Sequence, residues 1–461
     1  MRTKSLLLLL ALLGLVAAMA FAGGGKEDRS SDKEVVWLTS VQGGREPEEN
    51  VIFQNEVKRL TGVPVTLIKP PGSEYKTKMT AMLSTGEPLD IVYLSAADMA
   101  ALADQDLFEP LTDWIEKSPV LKNESIIPAS EWDRLRQADG EIYAVFNKFE
   151  QGTLAIVRYD WLENLGLKEP KTLDDYYEVL RAFTYDDPDG NGLDDTYGLG
   201  IGYTLYDLSS FFGAYGLVRG FAEDASGKLY SPFATEAAIP VYEFLARLYR
   251  EGILEPNFIT NTSANFRDLF MTGKTGMNFY WAAWVGLYNQ TVKADNPHSP
   301  FKARALAPPM GPNGHIMCRN GDDGLMAIPR ISRNKDNAFK VMEFWHTQEG
   351  NVLSTLGILG HDYTYTNGTY KLTEVGAKHA MDHGAPQPKS LAWTNPLGES
   401  EGFAEAAEII LKYGYTQMVT PYNSLWEEIT RAEAAKIILG SVSPRAGIAA
   451  MNARFKEEGV F

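Results

Sequence analysis

VVWLTSVQGGREPEENVIFQNEVKRLTGVPVTLIKPPGSEYKTKMTAMLSTGEPLDIVY, residues 35–93, carries the architecture of this chain. Val35-Val36-Trp37-Leu38 is a short apolar run of the kind that forms a strand buried on both faces. Glu48 to Leu60 places Phe53, Val57 and Leu60 on one helical stripe. Val63 to Ile68 is brief and β-branched, and Pro70-Pro71-Gly72 breaks the chain before a second helical face at Tyr75, Met79, Met82 and Leu83. Leu89 to Tyr93 is a third strand. Strand, helix, strand, helix, strand at this spacing predicts a parallel sheet covered by helices, the α/β class. Ligands of such sheets bind at the carboxyl ends of strands, which brings Thr39, Ser40, Tyr93 and Ser95 toward a cleft.

Further along, Thr172 to Phe183 predicts a helix. Thr172 caps it, Asp175 completes a capping box, and Leu173, Tyr176, Tyr177, Leu180 and Phe183 share a face. Helices are also predicted at Ala237–Tyr249, Asn337–Trp345, Phe403–Lys412 and Leu425–Leu439, and a strand in Gly273 to Trp284. There is no internal repeat, and no long linker separates two halves. The chain is therefore expected to cross between lobes more than once.

At 461 residues and 44% apolar, the chain is long enough for two domains with sizeable cores. Sixty acidic against 43 basic residues give a formal charge of −17, which repels nucleic acid and favours solubility. Nine Trp, 22 Tyr and 21 Phe are a generous aromatic content; most of these rings are expected in the core, and exposed ones suit stacking on sugar faces.

The amino terminus reads as a cleavable export signal over residues 1–22. Arg2 and Lys4 are basic, Leu6 to Ala18 is apolar except for Gly14, and Ala20-Phe21-Ala22 precedes three glycines. A lipoprotein signal needs a cysteine at the cleavage point, but Gly23 stands there and the chain's single cysteine is Cys318. The expectation is a free periplasmic protein. One cysteine forms no internal disulfide, so the core must hold the fold.

Four stretches resemble the bacterial extracellular solute-binding proteins that deliver oligosaccharides to ABC importers, in the branch of alginate-oligosaccharide binders and their lipoprotein-like relatives. They are Gly86 to Val92, Ile142 to Leu180 (with RYDWLENLGL and PKTLDDYYEVL), Gly273 to Trp284, and Phe339 to Tyr365 with GILGHDY. The resemblance implies a two-lobed periplasmic binding protein fold, type II-like, with the lobes joined by multiple crossings. Lobe 1 is expected over residues 33–148 and about 308–355, lobe 2 over 149–307 and about 356–461, with crossings near Asn147–Gly152 and Ala307–Gly311. It implies a monomer that closes on an oligosaccharide and docks on the permease subunits of an ABC importer. In maltodextrin-binding relatives a sugar-stacking Trp matches Trp284. Trp281 is its neighbour, Tyr93 faces it from lobe 1, Glu150 comes from the crossing, and Tyr203, Tyr206 and Trp393 come from lobe 2. Arg158 or Arg319 would serve a sugar that carries carboxylates.

Asp187 to Asp195 follows the Thr172 helix with oxygen ligands at the first, third, fifth and ninth positions of a calcium loop: Asp187, Asp189, Asn191 and Asp195. Leu193 offers its carbonyl at the seventh, and Gly192 makes the turn at the sixth. The twelfth position, which in such loops is a bidentate Glu, is Gly198. A structural calcium is the expectation, against the alternative of a solvated acidic turn.

No catalytic motif is present: no HExxH, GxSxG, GxxxxGK[ST] or strand-borne GxGxxG. A glycosidase needs two carboxylates across a cleft, and none sits in a local signature. The reading is a binding protein, not an enzyme. Its alternatives are a binder of peptides or other small polar solutes on the same scaffold, and a secreted glycoside-active enzyme.

Overall fold

The computed structural model describes residues 34–461 apart from 45–46, 73, 103–104, 138, 151, 203–207, 380–387 and 399; of 149, 150 and 379 it describes the backbone alone. The expected export signal lies outside the described residues.

Among the described residues, fifteen strands form two large sheets and two hairpins. The first sheet has the order β2 (Val65–Ile68), β1 (Val35–Leu38), β3 (Ile91–Ser95), β12 (Asp322–Ala327), β4 (Val145–Glu150). Its first three strands are parallel, as the alternation of residues 35–93 predicts. β12 runs antiparallel between β3 and β4. Helix Pro47–Thr61 buries Phe53 and Val57 on this sheet, and helix Tyr75–Thr85 buries Met79, Met82 and Leu83 before stopping at Gly86, whose φ of 72° suits a left-handed cap.

The second sheet has the order β15 (Gly414–Tyr415), β11 (Cys318–Arg319), β5 (Thr153–Arg158), β9 (Thr275–Trp281), β6 (Tyr197–Leu199), with β10 (Ala303–Leu306) also paired to β5. β5 is buried along its whole length because both faces are covered. Leu154 and Ile156 join one core, Ala155 and Val157 the other, the two-residue period of a strand. Helix Leu173–Tyr185 begins with the predicted capping box, in which Thr172 Oγ1 accepts from Asp175 N at 3.2 Å and Asp175 Oδ2 from Thr172 N at 2.9 Å. Two short hairpins complete the set, β7 (Ala222–Glu223) with β8 (Leu229–Tyr230), and β13 (Tyr363–Thr366) with β14 (Thr369–Leu372).

The chain passes from the first sheet to the second between β4 and β5, and returns between β11 and β12 across Asn320–Gly321. The return was expected near Ala307–Gly311, and that boundary is corrected. Tyr176 Oη donates to Ala307 O at 2.6 Å and Met310 N to Lys171 O at 2.8 Å, so this segment stays with the second sheet. Its Pro-Pro-Met-Gly composition resembles a linker, but a Cβ on Gly311 would lie 1.6 Å from Ala214 O; the glycine permits close packing. After β12, helices Lys335–Phe344 and Gln348–Leu356 pack Ala338, Phe339, Met342 and Leu353 into the first core. A third passage then leads to helix Phe403–Tyr413, whose Ala406 and Ile410 join the second.

Candidate functional site

The cleft floor is built where strands of the two sheets end at the crossings. On the lobe 1 side, β4 and β12 pair Glu150 with Asp322, and the register slips at Gly324/Leu325. Tyr93 on β3 leans over Gly324: a Cβ there would come within 2.7 Å of the Tyr93 hydroxyl, so the bare backbone makes room for the ring. Tyr75 Oη donates to Tyr93 O at 2.7 Å and its ring meets Tyr93 edge-on at 6.3 Å. On the lobe 2 side, β9 ends with Trp281 opposite Thr153. The guanidinium of Arg319 lies 4.7 Å from the Trp281 ring centre and donates to Asp322 at 2.5 Å, an ion pair that spans the return crossing. Gly152 is forced to be glycine, since a Cβ would fall 1.9 Å from Arg319 O.

Charges at this floor are paired. Arg134 and Lys389 both reach Glu131 and the buried Asp323, at 2.5 and 2.8 Å to Glu131 and 2.8 and 3.3 Å to Asp323. Burial opposes ionisation of Glu131, but Lys389 and Arg134 together hold its carboxyl below the usual range. Arg158, at the opposite end of β5, is buried against Asp160 with contacts of 2.6 and 2.9 Å.

Beside the floor, a cavity of about 440 Å³ opens between the lobes. Helix Trp284–Asp295 of lobe 2 lines it with Leu287 and Gln290, helix Gln348–Leu356 of lobe 1 with Thr355, and the third passage with Ser390, Trp393 and Asn395. Trp393 is seated on Val352, Leu356 and Tyr363. Gln290 Nε2 donates to Ala377 O at 3.2 Å. Among the described residues Ser390 Oγ, shielded from solvent, has no hydrogen-bond partner. The volume falls in the range of small-ligand pockets.

The expected ligand residues are therefore distributed. Trp393 lines the cavity, but it packs on Val352 and Leu356 of the lobe 1 helix rather than coming from lobe 2 as expected. Trp284 is half-buried one helical position from the cavity stripe, with the Arg267 guanidinium 3.9 Å from its ring centre and Tyr280 and Tyr288 at 5.3 and 5.6 Å. Trp281 and Tyr93 belong to the floor. Glu150 has its backbone in β4, its side chain outside the described residues, where Tyr203 and Tyr206 also lie.

In the acidic loop, Asn191 N and Gly192 N donate to the two Asp187 oxygens at 3.0 Å each, and Leu193 N to Asn191 Oδ1 at 2.7 Å. Asp187 takes φ 46°, Gly190 69° and Gly192 78°, so the loop is tightly coiled. Lys274 Nζ stands 2.5 Å from Asp195 Oδ2 and, with Asn191, holds that carboxyl below its ordinary value. Gly198 admits no side chain, because a Cβ would lie 2.1 Å from Leu180 O. Among the described residues no group of three His, Cys, Asp or Glu is placed to hold a metal ion. Asp187, Asp189, Asn191 and Leu193 carry oxygens of the type calcium takes, and in this loop the Asp187 and Asn191 oxygens accept backbone N–H groups.

Residues 44–352 match the family model described as bacterial extracellular solute-binding protein. The chain belongs to that family. Lipoprotein LipO of Bacillus subtilis (strain 168) is 26% identical over 392 residues, 79% of this chain and 76% of that protein. The polygalacturonan/rhamnogalacturonan-binding protein YtcQ of the same organism is 27% identical over 378 residues, 78% of this chain and 74% of its own. Among solved structures, alginate-binding protein AlgQ2 without calcium ion superposes with a TM-score of 0.70 at 19% identity, over 93% of this chain and 94% of that one. FusA of S. pneumoniae in complex with kestose gives 0.67 at 18%, over 93% and 96%. These structures establish the two-lobed binding-protein fold expected from the sequence. Among the described residues no helix is long and apolar enough to cross a membrane.

The sequence reading of the site missed Gln290, Thr355, Ser390 and Asn395. Neutral polar residues on helices and loops carry no local signature, and only the packing of three distant segments brings them together. The one available signal was a helix face, Ala283, Leu287 and Gln290, at a spacing of four and three.

Proposed function

We propose that this solute-binding protein captures an oligosaccharide between its lobes, closes on it, and hands it to the permease of an ABC importer. The interlobe cavity carries the reading: one seated indole, Trp393, faces amide and hydroxyl groups, the pairing of apolar and polar surface that sugar rings present. The names of YtcQ and the kestose complex of FusA, both similar to this chain, support a sugar. The passages from β4 to β5 and from β11 to β12 are hinges such closure would use. In this reading the protein is an exported monomer that leaves its ligand intact, and residues 1–22 direct the export. Calorimetry with purified glycans tests capture, small-angle scattering tests closure, and chromatography of the recovered sugar tests for cleavage. A radius of gyration unchanged at saturation, or a shortened sugar, would overturn the corresponding part.

The acidic loop is proposed to take a structural calcium through Asp187, Asp189, Asn191 and the Leu193 carbonyl, with Asp195 contributing after release from Lys274. Calcium would clamp the loop to the end of helix Leu173–Tyr185. The solved forms of related proteins described as AlgQ2 without calcium ion and a FusA EF-hand mutant support it. A ligand that binds only the folded state raises the melting temperature, and Asp187→Ala should remove the rise. A melting temperature indifferent to both calcium and chelator would make the loop an acidic turn closed by Lys274.

A further inference from the structure

We infer that the interlobe cavity selects neutral oligosaccharides and rejects uronates, an inference that rests on the sugar reading above. Among the described residues, the side chains that line it include no Lys, Arg, Asp or Glu; its polar groups are those of Gln290, Thr355, Ser390, Thr394, Asn395 and Ser400. The cations around the cavity and cleft are already engaged: Lys293, one turn beyond Gln290, pairs with Glu401, and Lys378 with Asp295. Arg319 is buried against Asp322, Arg134 and Lys389 share Glu131 and Asp323, and Lys148 is buried and bonded within the protein. Arg158 is held by Asp160 at the far end of β5. Arg267 lies over the Trp284 ring, and Trp284 and Tyr288 form a different stripe of their helix from the cavity-facing Ala283, Leu287 and Gln290. In sequence, the segments outside the described residues between 151 and 399 contain no Lys or Arg.

A uronate carboxylate enclosed by closing lobes needs a charged donor, because desolvating an unpaired anion is costly. Amides and hydroxyls satisfy sugar hydroxyls without that cost. Gln290, Thr394 and Asn395 offer such amides and hydroxyls along the cavity wall.

The test is calorimetry of the protein against oligosaccharide fractions from neutral polysaccharides (starch, xylan, inulin, galactan) and against oligogalacturonates and alginate oligomers, at low and high salt. The expected result is binding of a neutral fraction, indifferent to salt, with uronates weaker by about tenfold or more. Uronate binding that equals or exceeds the neutral fractions, and weakens with salt, overturns this inference and leaves the sugar reading standing. Binding of no glycan, with stabilisation by peptides or with none, overturns the sugar reading itself. Trp393→Ala should abolish binding of the neutral fraction, with a moderate fall in the unliganded melting temperature because the indole also packs on Val352 and Leu356. Full affinity in Trp393→Ala overturns the assignment to this cavity, and Gln290→Ala, a smaller change on the same wall, provides an affinity readout should Trp393→Ala fail to fold.

Discussion

The floor of the cleft and the wall of the cavity beside it use polar residues in opposite ways. On the floor, Arg319 with Asp322, and Arg134 and Lys389 with Glu131 and Asp323, leave their charges engaged with one another. On the wall, Gln290, Thr394 and Asn395 are uncharged, and Gln290 turns its Nε2 to Ala377 O while its amide oxygen can accept from a ligand. Groups that already satisfy each other fix the geometry of the crossings; groups with spare capacity receive a ligand. Changes on the floor should therefore register in unliganded stability, and changes on the wall in affinity.

The largest expected effect on the floor side is an acid limb set by His346. Its ring is buried beneath the crossing strands, with Nε2 2.7 Å from Phe146 O. Burial pushes its pKa down to about 4, against the pull of the Phe146 and Lys389 carbonyls. Above the unfolded value near 6.5 the ring is neutral in both states. Between 6.5 and 4 the unfolded chain takes up a proton that the folded chain refuses, so stability falls as pH drops through that window and levels off below it. The shift corresponds to about 3 kcal/mol. Urea unfolding at pH 7 and pH 4.5 should show most of that loss, and His346→Gln should lessen it. Equal losses in both proteins would remove His346 from the floor's role.

This division was only half legible in the sequence. Apolar periodicity fixed the parallel core of lobe 1, because burial on two faces leaves a continuous run such as Val35 to Leu38, and the Thr172 capping box is a purely local pattern. Trp393 was named from its residue type and the resemblance. The return crossing was misplaced because β11 is two residues long, too short for any period, while Ala307 to Gly311 carries the turn residues a linker would. The pairing of Arg134 with Asp323 joins residues 189 apart, and no spacing rule reaches that far.

A smaller effect should follow Asp323→Asn. The substitution keeps the shape but cancels a buried carboxylate that faces Arg134 and Lys389. Arg134 is half in solvent, which moderates the penalty, so the loss should be about 2 kcal/mol at neutral pH. Glycan affinity should change by less than the stability does. A variant as stable as the parent but crippled in binding would move Asp323 from floor to wall.

The smallest effect, and the sharpest discrimination, belongs to Gln290→Ala. Gln290 faces the cavity from helix Trp284–Asp295 and is half-buried, with Nε2 on Ala377 O. Truncation removes an amide oxygen free to accept from a sugar hydroxyl and one weak bond to the neighbouring helix. A single neutral hydrogen bond contributes about 1 kcal/mol net, so affinity should fall about fivefold. Alanine favours the helix, which offsets part of the lost bond to Ala377, and the unliganded melting temperature should stay close to that of the parent. Calorimetry beside thermal unfolding separates the two quantities. If Gln290→Ala lowers stability as much as Asp323→Asn and leaves affinity intact, the wall is as internally committed as the floor, and the ligand must be held elsewhere in the cleft.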